Sequence, residues 1–389
     1  MNRKDFIRTC GILGIALPFQ SVLSSCGSDD DPAPNFTGDV LIIGAGAGGM
    51  AAGHLLAQQG INFQILEASS VYGGRMKRNN TFADFPIPMG AEWLHVERGI
   101  FDEIVNDSSV QIDVQTTPYN PDVDFGLLNG QRISVEESGF TIDQKFINST
   151  WFDFFETYVV PSVRSNIRFN EVVQSIDYSG DRVTVQTQGN QYTADKVIVS
   201  VPVKILQNGA INFTPALPSG KQEAIDNVRV WDGFKAFIEF SEKFYPTFTA
   251  FDIQPESAGQ KLYYDAAYGQ NTSKHVLGLF TVGVATDDYR PLSNTALRDF
   301  MLNELDALYD GQASANYVGH ISQNWNNEPH INGGYIYDDE NWRRVRTLGE
   351  PVGGNLFFAG DAYTDGEDWS SVHTAARSAK VAVDALVRS

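Results

Sequence analysis

The sequence predicts an α/β fold class built on a doubly wound, Rossmann-like dinucleotide-binding unit. Three observations predict it. An apolar run from Val40 to Ile43 leads through a glycine turn into a helical stretch ending at Gln59, then into a second apolar run, Phe63 to Leu66. Alternation from Arg182 to Thr187 and a continuous apolar run from Val197 to Val201 read as a hairpin followed by a buried return strand. Later, "LGLFTVGVA" reads as a strand and "SNTALRDFMLNELDAL" as a helix capped by Ser293, with Leu297, Phe300, Met301, Leu305 and Leu308 on one face.

The first unit carries the most specific pattern. Gly44, Gly46 and Gly49 fit G-x-G-x-x-G, with Ala45 and Gly48 completing the turn. The first glycine allows the tight turn, the second lets backbone approach a pyrophosphate, and the third lets the helix pack closely. The helix N-terminus then offers unpaired amides to phosphate. Glu67, at the end of the second strand, is placed to accept hydrogen bonds from ribose hydroxyls. Strand, helix and acid together point to a dinucleotide; the unit alone leaves FAD and NAD open.

Composition narrows the remaining classes. The chain has 389 residues, enough for two domains, and 28 basic against 48 acidic residues leave a net charge of −20. That charge excludes ordinary nucleic-acid binding, which needs basic patches. It suits solubility and the gathering of cationic substrates equally. Both cysteines, Cys10 and Cys26, precede the folded body, which therefore has no disulfide, thiolate metal site or cysteine nucleophile of its own.

The start of the chain reads as an export signal: a basic opening, an apolar run from Gly11 to Leu23 too short to span a bilayer, then small residues before Cys26. "LSSC" resembles a bacterial lipobox, which implies that residues 1–26 form a lipoprotein-type signal with Cys26 lipidated, and residues 27–36 a polar tether. "NRKDFIR" resembles a twin-arginine motif with Lys4 in the second position. The expected location is outside the cytoplasm, anchored by lipid to a bacterial membrane on its periplasmic or cell-surface side.

"EASSVYGGRMKRNN" followed by "FPIPMGAEWLH" resembles the flavin-containing amine oxidase family, polyamine and monoamine oxidase-like, whose FAD unit continues through a G-G-R turn and a G-A-x-W turn. Gly73 and Gly74 permit close backbone approach, and Arg75 can neutralise a pyrophosphate. The second turn is Gly90, Ala91, Glu92 and Trp93. Val71 stands where the family often has another arginine. The match continues in order: Val173, whose backbone would meet the adenine side; "WDGFKAFIEF", whose Lys235 would lie near flavin N5; and "NLFFAGDAYTDGEDWSSVH". There Gly360 and Asp361 would face the pyrophosphate and a helix starting near Ser371 and Val372 would point at the flavin ring.

The resemblance implies a discontinuous FAD-binding domain, residues 37–100, 162–205 and 345–389, interleaved with an α+β substrate domain with a mixed sheet, residues 101–161 and 206–344. It implies FAD held non-covalently, a small-molecule amine as substrate, dioxygen as acceptor and hydrogen peroxide as product.

Within the strand at 231–240, alternation sends Phe234, Ala236, Ile238 and Phe240 to one face and Trp231, Gly233, Lys235, Phe237 and Glu239 to the other. Lys235 there is either a lysine on a wet face or, as the family strand implies, a catalytic group that positions water and supplies positive charge as dioxygen is reduced. His95 resembles a substrate-contacting histidine of the polyamine oxidase branch; a structural histidine is the other reading. Trp325, Tyr335 and Tyr337 are candidates for the cavity lining or for core. Ile331 and Val372 stand where monoamine oxidases would carry cage tyrosines, so polyamine-like substrates fit better than arylalkylamines. Asp365, Glu367 and Asp368 read as a solvated acidic loop or as a recruiter of cations. Two alternatives stand beside the amine oxidase: an L-amino acid oxidase, with Arg164, Arg229 or Arg343 holding the carboxylate, and a tethered binding protein that keeps FAD without turnover.

Overall fold

A computed structural model describes residues 36–119, 126–128, 131–133, 143–250, 259–337 and 340–389; Cys26 and the export signal lie outside the described residues. A five-stranded sheet organises the dinucleotide side, in the order Leu356–Phe358, Lys196–Val199, Val40–Ile43, Phe63–Glu67, Ile167–Phe169, every pair parallel. Numbered along the chain and read from the 167–169 edge this is the order 3-2-1-4-5 of a doubly wound fold, whose ligands bind beyond the carboxyl ends of the strands where the winding reverses. That crevice lies between Ile43 and Val199, whose strands are neighbours.

Both faces of the sheet are covered, which is why its strands read as unbroken apolar runs. Val40 and Ile42 join a core with the helix Ala47–Gln58 and the closing helix Val372–Arg388, while Leu41 and Ile43 join a second core on the opposite face. The first core also takes in Phe101, Trp151, Phe154 and Phe155, so part of the 101–161 segment packs directly on the dinucleotide unit.

A second sheet has seven strands, in the order Tyr317–Asn324, Gly233–Phe240, His275–Gly283, Gly259–Asp265, Phe248–Ala250, Gly126–Leu128, Gln131–Ile133. It is mixed, because the 248–250 strand pairs parallel with 126–128 and the other pairs are antiparallel. Phe234, Ala236, Ile238 and Phe240 pack with Leu297, Met301 and Leu305 of the helix Asn294–Leu308, whose Ser293 side chain accepts from the Ala296 amide. On the other face Phe237 packs with Phe85, Ile87 and Tyr264. The wet-face reading of Lys235 is thereby overturned: Lys235 is 4% exposed, and Glu239 alone among residues 233–240 is part-exposed.

Candidate functional site

The glycine turn follows the first strand directly. Gly44 has φ +104°, and a Cβ on it would lie 2.7 Å from the Ser200 carbonyl oxygen at the neighbouring strand's end. A Cβ on Gly49 would lie 1.9 Å from the Gly44 oxygen, and one on Gly48 would lie 2.9 Å from both Gly360 Cα and Ser200 Oγ. Gly46 differs: a Cβ there would meet nothing within 4 Å. Three of these positions need glycine to close the protein's own packing, and Gly46 borders open space where a pyrophosphate has room.

The G-G-R turn rims the same opening. The Gly73 amide donates to Ala45 O at 2.8 Å, Gly73 and Gly74 have φ of +112° and +55°, and a Cβ on Gly74 would sit 3.4 Å from Gly46 Cα. Glu67 braces the loop by accepting from the Ala45 amide at 2.7 Å and the Ser69 amide at 2.8 Å. Each carboxylate oxygen keeps lone-pair capacity for a ribose hydroxyl. An open cradle at Gly46 and a ribose-side acid together fit a dinucleotide.

Substituting the two glycines separates cradle from packing. Gly46→Ala is expected to leave the apoprotein's melting temperature nearly unchanged while FAD affinity falls at least about tenfold, whereas Gly49→Ala lowers the apoprotein's stability by about 1–3 kcal/mol. Calorimetric melting and FAD titration of both variants check this; equal losses of stability would contradict it.

Arg75 and Asp361, separately expected at the pyrophosphate, meet each other. Arg75 Nη2 donates to Asp361 Oδ1 at 2.5 Å and Nη1 to Oδ2 at 3.1 Å, with a third bond from Nη1 to Gly334 O at 2.5 Å. Arg75 is thus a fork locked on a carboxylate rather than a free cation. The closing helix begins at Val372 after Ser371, whose amide donates to Thr374 Oγ1 at 3.0 Å. Gly360 is held beside it by a 3.1 Å bond from its amide to Ser378 Oγ. Val173 lies where the register shifts before Ser175, in the same core cluster as Leu66 of the 63–67 strand.

The G-A-E-W turn joins this cradle to the second sheet. The Ala91 amide donates to Arg75 O at 2.9 Å, and a Cβ on Gly90 would collide with that oxygen at 1.9 Å. From below, Lys235 Nζ donates to Pro88 O at 2.9 Å, Gly90 O at 3.2 Å and Glu92 Oε2 at 2.6 Å. Tyr264 also donates its hydroxyl to Glu92 Oε2. Lys145 Nζ stands 3.5 Å from Glu92 Oε1 and donates to Asp265 O at 3.2 Å and Ala266 O at 2.9 Å. The rings of Trp93, Tyr119 and Tyr264 surround the Lys145 ammonium at 5.4–5.6 Å.

Burial pushes both ammoniums below the usual lysine range, against the pull of Glu92. Burial pushes the Glu92 carboxyl the other way, but Lys235 and Lys145 beside it outweigh that and hold it below its usual range. Burial, with Glu92 adding to it, raises the Tyr264 phenol well above normal. Each of these groups is bonded within the cluster.

Several expected contacts are placed differently. Glu92, expected in the cofactor turn, turns its carboxylate to Lys235, Lys145 and Tyr264 because those buried donors need an anion. Trp325, expected in the cavity lining, is 4% exposed, with its indole N–H donating to Met89 O at 3.1 Å and its ring under Gly90, so it supports the turn. His95 Nδ1 pairs with Asp143 Oδ2 at 3.0 Å, and Tyr335 is half-buried beside Trp231 and Tyr337. Ile331 and Val372 are both buried. In the acidic loop Asp365 and Glu367 are exposed, while Asp368 bonds His373 Nε2 at 2.9 Å. Arg229, one of the three arginines left open under the amino acid oxidase alternative, stacks 3.7 Å over Tyr337. Lys145, Tyr119 and Tyr264 escaped sequence reasoning; nothing local in the sequence signals that Lys145 and Tyr264 meet on Glu92 or that the Tyr119 ring lies beside Lys145.

Comparison with known proteins decides the family. Residues 155–387 match the family model described as flavin containing amine oxidoreductase, and residues 42–104 match an NAD(P)-binding Rossmann-like domain. The chain belongs to the flavin containing amine oxidoreductase family. It is a FAD-dependent oxidoreductase acting on CH–NH groups, and with no cysteine beyond Cys26 it holds FAD without a cysteine thioether. Polyamine oxidase 2 of Arabidopsis thaliana is 22% identical over 90% of this chain and 88% of its own length. Lysine-specific histone demethylase 1B of Mus musculus is 30% identical over 51% of this chain, which spans only 25% of that protein. Cyclohexylamine oxidase from Brevibacterium oxydans IH-35A shares the fold, with a TM-score of 0.74 at 15% identity over 91% of this chain and 99% of that one. A putrescine oxidase variant gives 0.73 at 16%, over 91% and 99%.

Proposed function

We propose that the protein oxidises a primary or secondary amine of polyamine-like character with dioxygen, giving an imine and hydrogen peroxide, and that it does so outside the cytoplasm, anchored through a lipid on Cys26. One observation carries the chemistry: the second strand of the substrate-side sheet delivers Lys235 to the Gly90 turn, and that turn is hydrogen-bonded to the turn that rims the dinucleotide cradle. When bound, FAD accepts hydride at N5 and passes the electron pair to dioxygen.

The chain's own groups bind, orient and move charge. Gly46 and the G-G-R turn seat the phosphates, Glu67 holds the ribose, and Arg75, fixed by Asp361, sets one wall. Lys235 holds positive charge for the reduction of dioxygen, while Trp93, Tyr119 and Tyr264 keep the neighbourhood dry. A dry aromatic setting lowers the substrate amine's pKa and so favours the neutral amine that can lose hydride. The polyamine oxidase relatives and the absence of tyrosines at Ile331 and Val372 support the substrate class. The placement of all five strands of the parallel sheet within residues 37–100, 162–205 and 345–389 supports reading those segments as the FAD-binding domain.

The test is peroxide release by the purified chain from residue 27 onward, offered polyamines, arylalkylamines and L-amino acids in turn. Release with polyamines is the expected result. Release with L-amino acids alone would replace the reading with the amino acid oxidase, and no release with any amine would leave the flavin as a ligand without turnover.

A further inference from the structure

We propose that Phe280 is a specificity-determining residue: its ring, lying beside Lys235, is the floor on which the hydrocarbon chain of the substrate amine rests. The inference deepens the oxidase reading above and rests on it. Its basis is a break in the cover of an interior strand.

The strand His275–Gly283 is paired with Gly233–Phe240 on one side and Gly259–Asp265 on the other. Beyond His275 at its start, every residue of it is buried except Phe280. Leu279 and Thr281, which point to the opposite face, are fully buried. The break is therefore on one face, and the register identifies it: Phe280 pairs with Lys235 on one side and with Leu262, also part-exposed, on the other. Paired residues on one face have Cβ atoms about 5 Å apart, so the ring adjoins the lysine stem directly.

The neighbourhood is apolar. Phe280 packs against two clusters at once, one holding Phe237 and Tyr264 and the other Trp231 and Val282. Each cluster has a part-buried aromatic at its border, Trp93 in the first and Tyr335 in the second. Along the strand the next residues on the same face are Gly278 and Val282, neither of them charged. The ammonium of Lys235 is turned to Pro88 O, Gly90 O and Glu92. What the ring offers a ligand is therefore area rather than charge.

A part-exposed ring in an otherwise covered strand loses water when a hydrocarbon chain lies on it, and each methylene so covered tightens binding by up to about fourfold. The floor lies beside the lysine that meets the Gly90 turn at the cradle, so an amine held at the flavin lays its first few carbons there. The floor then selects by chain. Amines with an unbranched hydrocarbon segment next to the oxidised carbon bind better than the same amines cut short or carrying a polar group on that segment. Polyamines, whose nitrogens are separated by runs of methylenes, meet this requirement.

The test separates binding from turnover. The probes are amines whose nitrogen-bearing carbon carries two methyl groups and so has no hydrogen to lose, with chains of about two to about eight further carbons. Their binding to the FAD-loaded chain is read from the shift of the flavin band. In the wild type, affinity rises about two- to fourfold per methylene over the first few. In Phe280→Gln that rise is lost and the longest probe binds at least about tenfold more weakly, with the shortest unchanged, whereas Phe280→Leu, which keeps an apolar surface, stays within about threefold of the wild type. Retained FAD absorbance shows that the variants are folded. A chain-length dependence in Phe280→Gln equal to the wild type's would overturn the proposal, as would a Phe280→Leu as weak as Phe280→Gln, or a wild type whose flavin band no probe shifts. Failure of the oxidase reading would appear separately, as a flavin that no oxidisable amine bleaches in a protein whose probe series still depends on Phe280.

Discussion

Replacing Lys235 by methionine is expected to leave FAD bound and the chain folded while slowing turnover by about 10²-fold or more, the range associated with losing a positioned proton-transfer group. Folding survives because Glu92 keeps Lys145 and the Tyr264 hydroxyl as partners when Lys235 is gone. Stopped-flow spectroscopy separates the two halves of the cycle: bleaching of the flavin by amine and its recovery in air. The recovery is expected to carry most of the loss, because that is where positive charge and a proton are needed. A variant that matched the wild type in both halves would remove Lys235 from the mechanism and return it to a structural lysine.

Replacing Glu92 by leucine is expected to do the opposite: to damage the fold first. The substitution leaves the buried Lys235 and Lys145 with no anion between them, and breaking a buried ion pair from one side typically costs about 3–5 kcal/mol. Denaturant unfolding measures this. In the Glu92→Leu background, adding Lys145→Met should recover much of the loss, since it removes one of the stranded charges. If Glu92→Leu alone cost under about 0.5 kcal/mol, the buried cluster would not exist as described.

The dinucleotide half was legible because its signals are local. The pattern Gly44, Gly46, Gly49 and Glu67 lies within one βαβ unit, where Gly49 closes on the Gly44 oxygen and Glu67 accepts from the Ala45 amide. Period-two alternation also placed Phe234, Ala236, Ile238 and Phe240 on one core face. The other face of that strand was not legible, since whether it meets water depends on what packs there. Tyr264 reaches Glu92 across 172 residues of sequence, and Lys145 reaches the Asp265 carbonyl across 120. By its type Trp325 fitted cavity lining or core equally, and its buried indole serves Met89 and Gly90, 236 residues from the former. Such pairings arise from sheet topology and have no periodicity.

The most direct test of the account is an anaerobic one. The chain from residue 27 onward is purified, its bound FAD confirmed by absorbance, and each class of amine mixed in without oxygen while the flavin band is followed. Bleaching by polyamines, with full recovery of colour and peroxide on admitting air, is the predicted result. Retained FAD that no amine bleaches would contradict it.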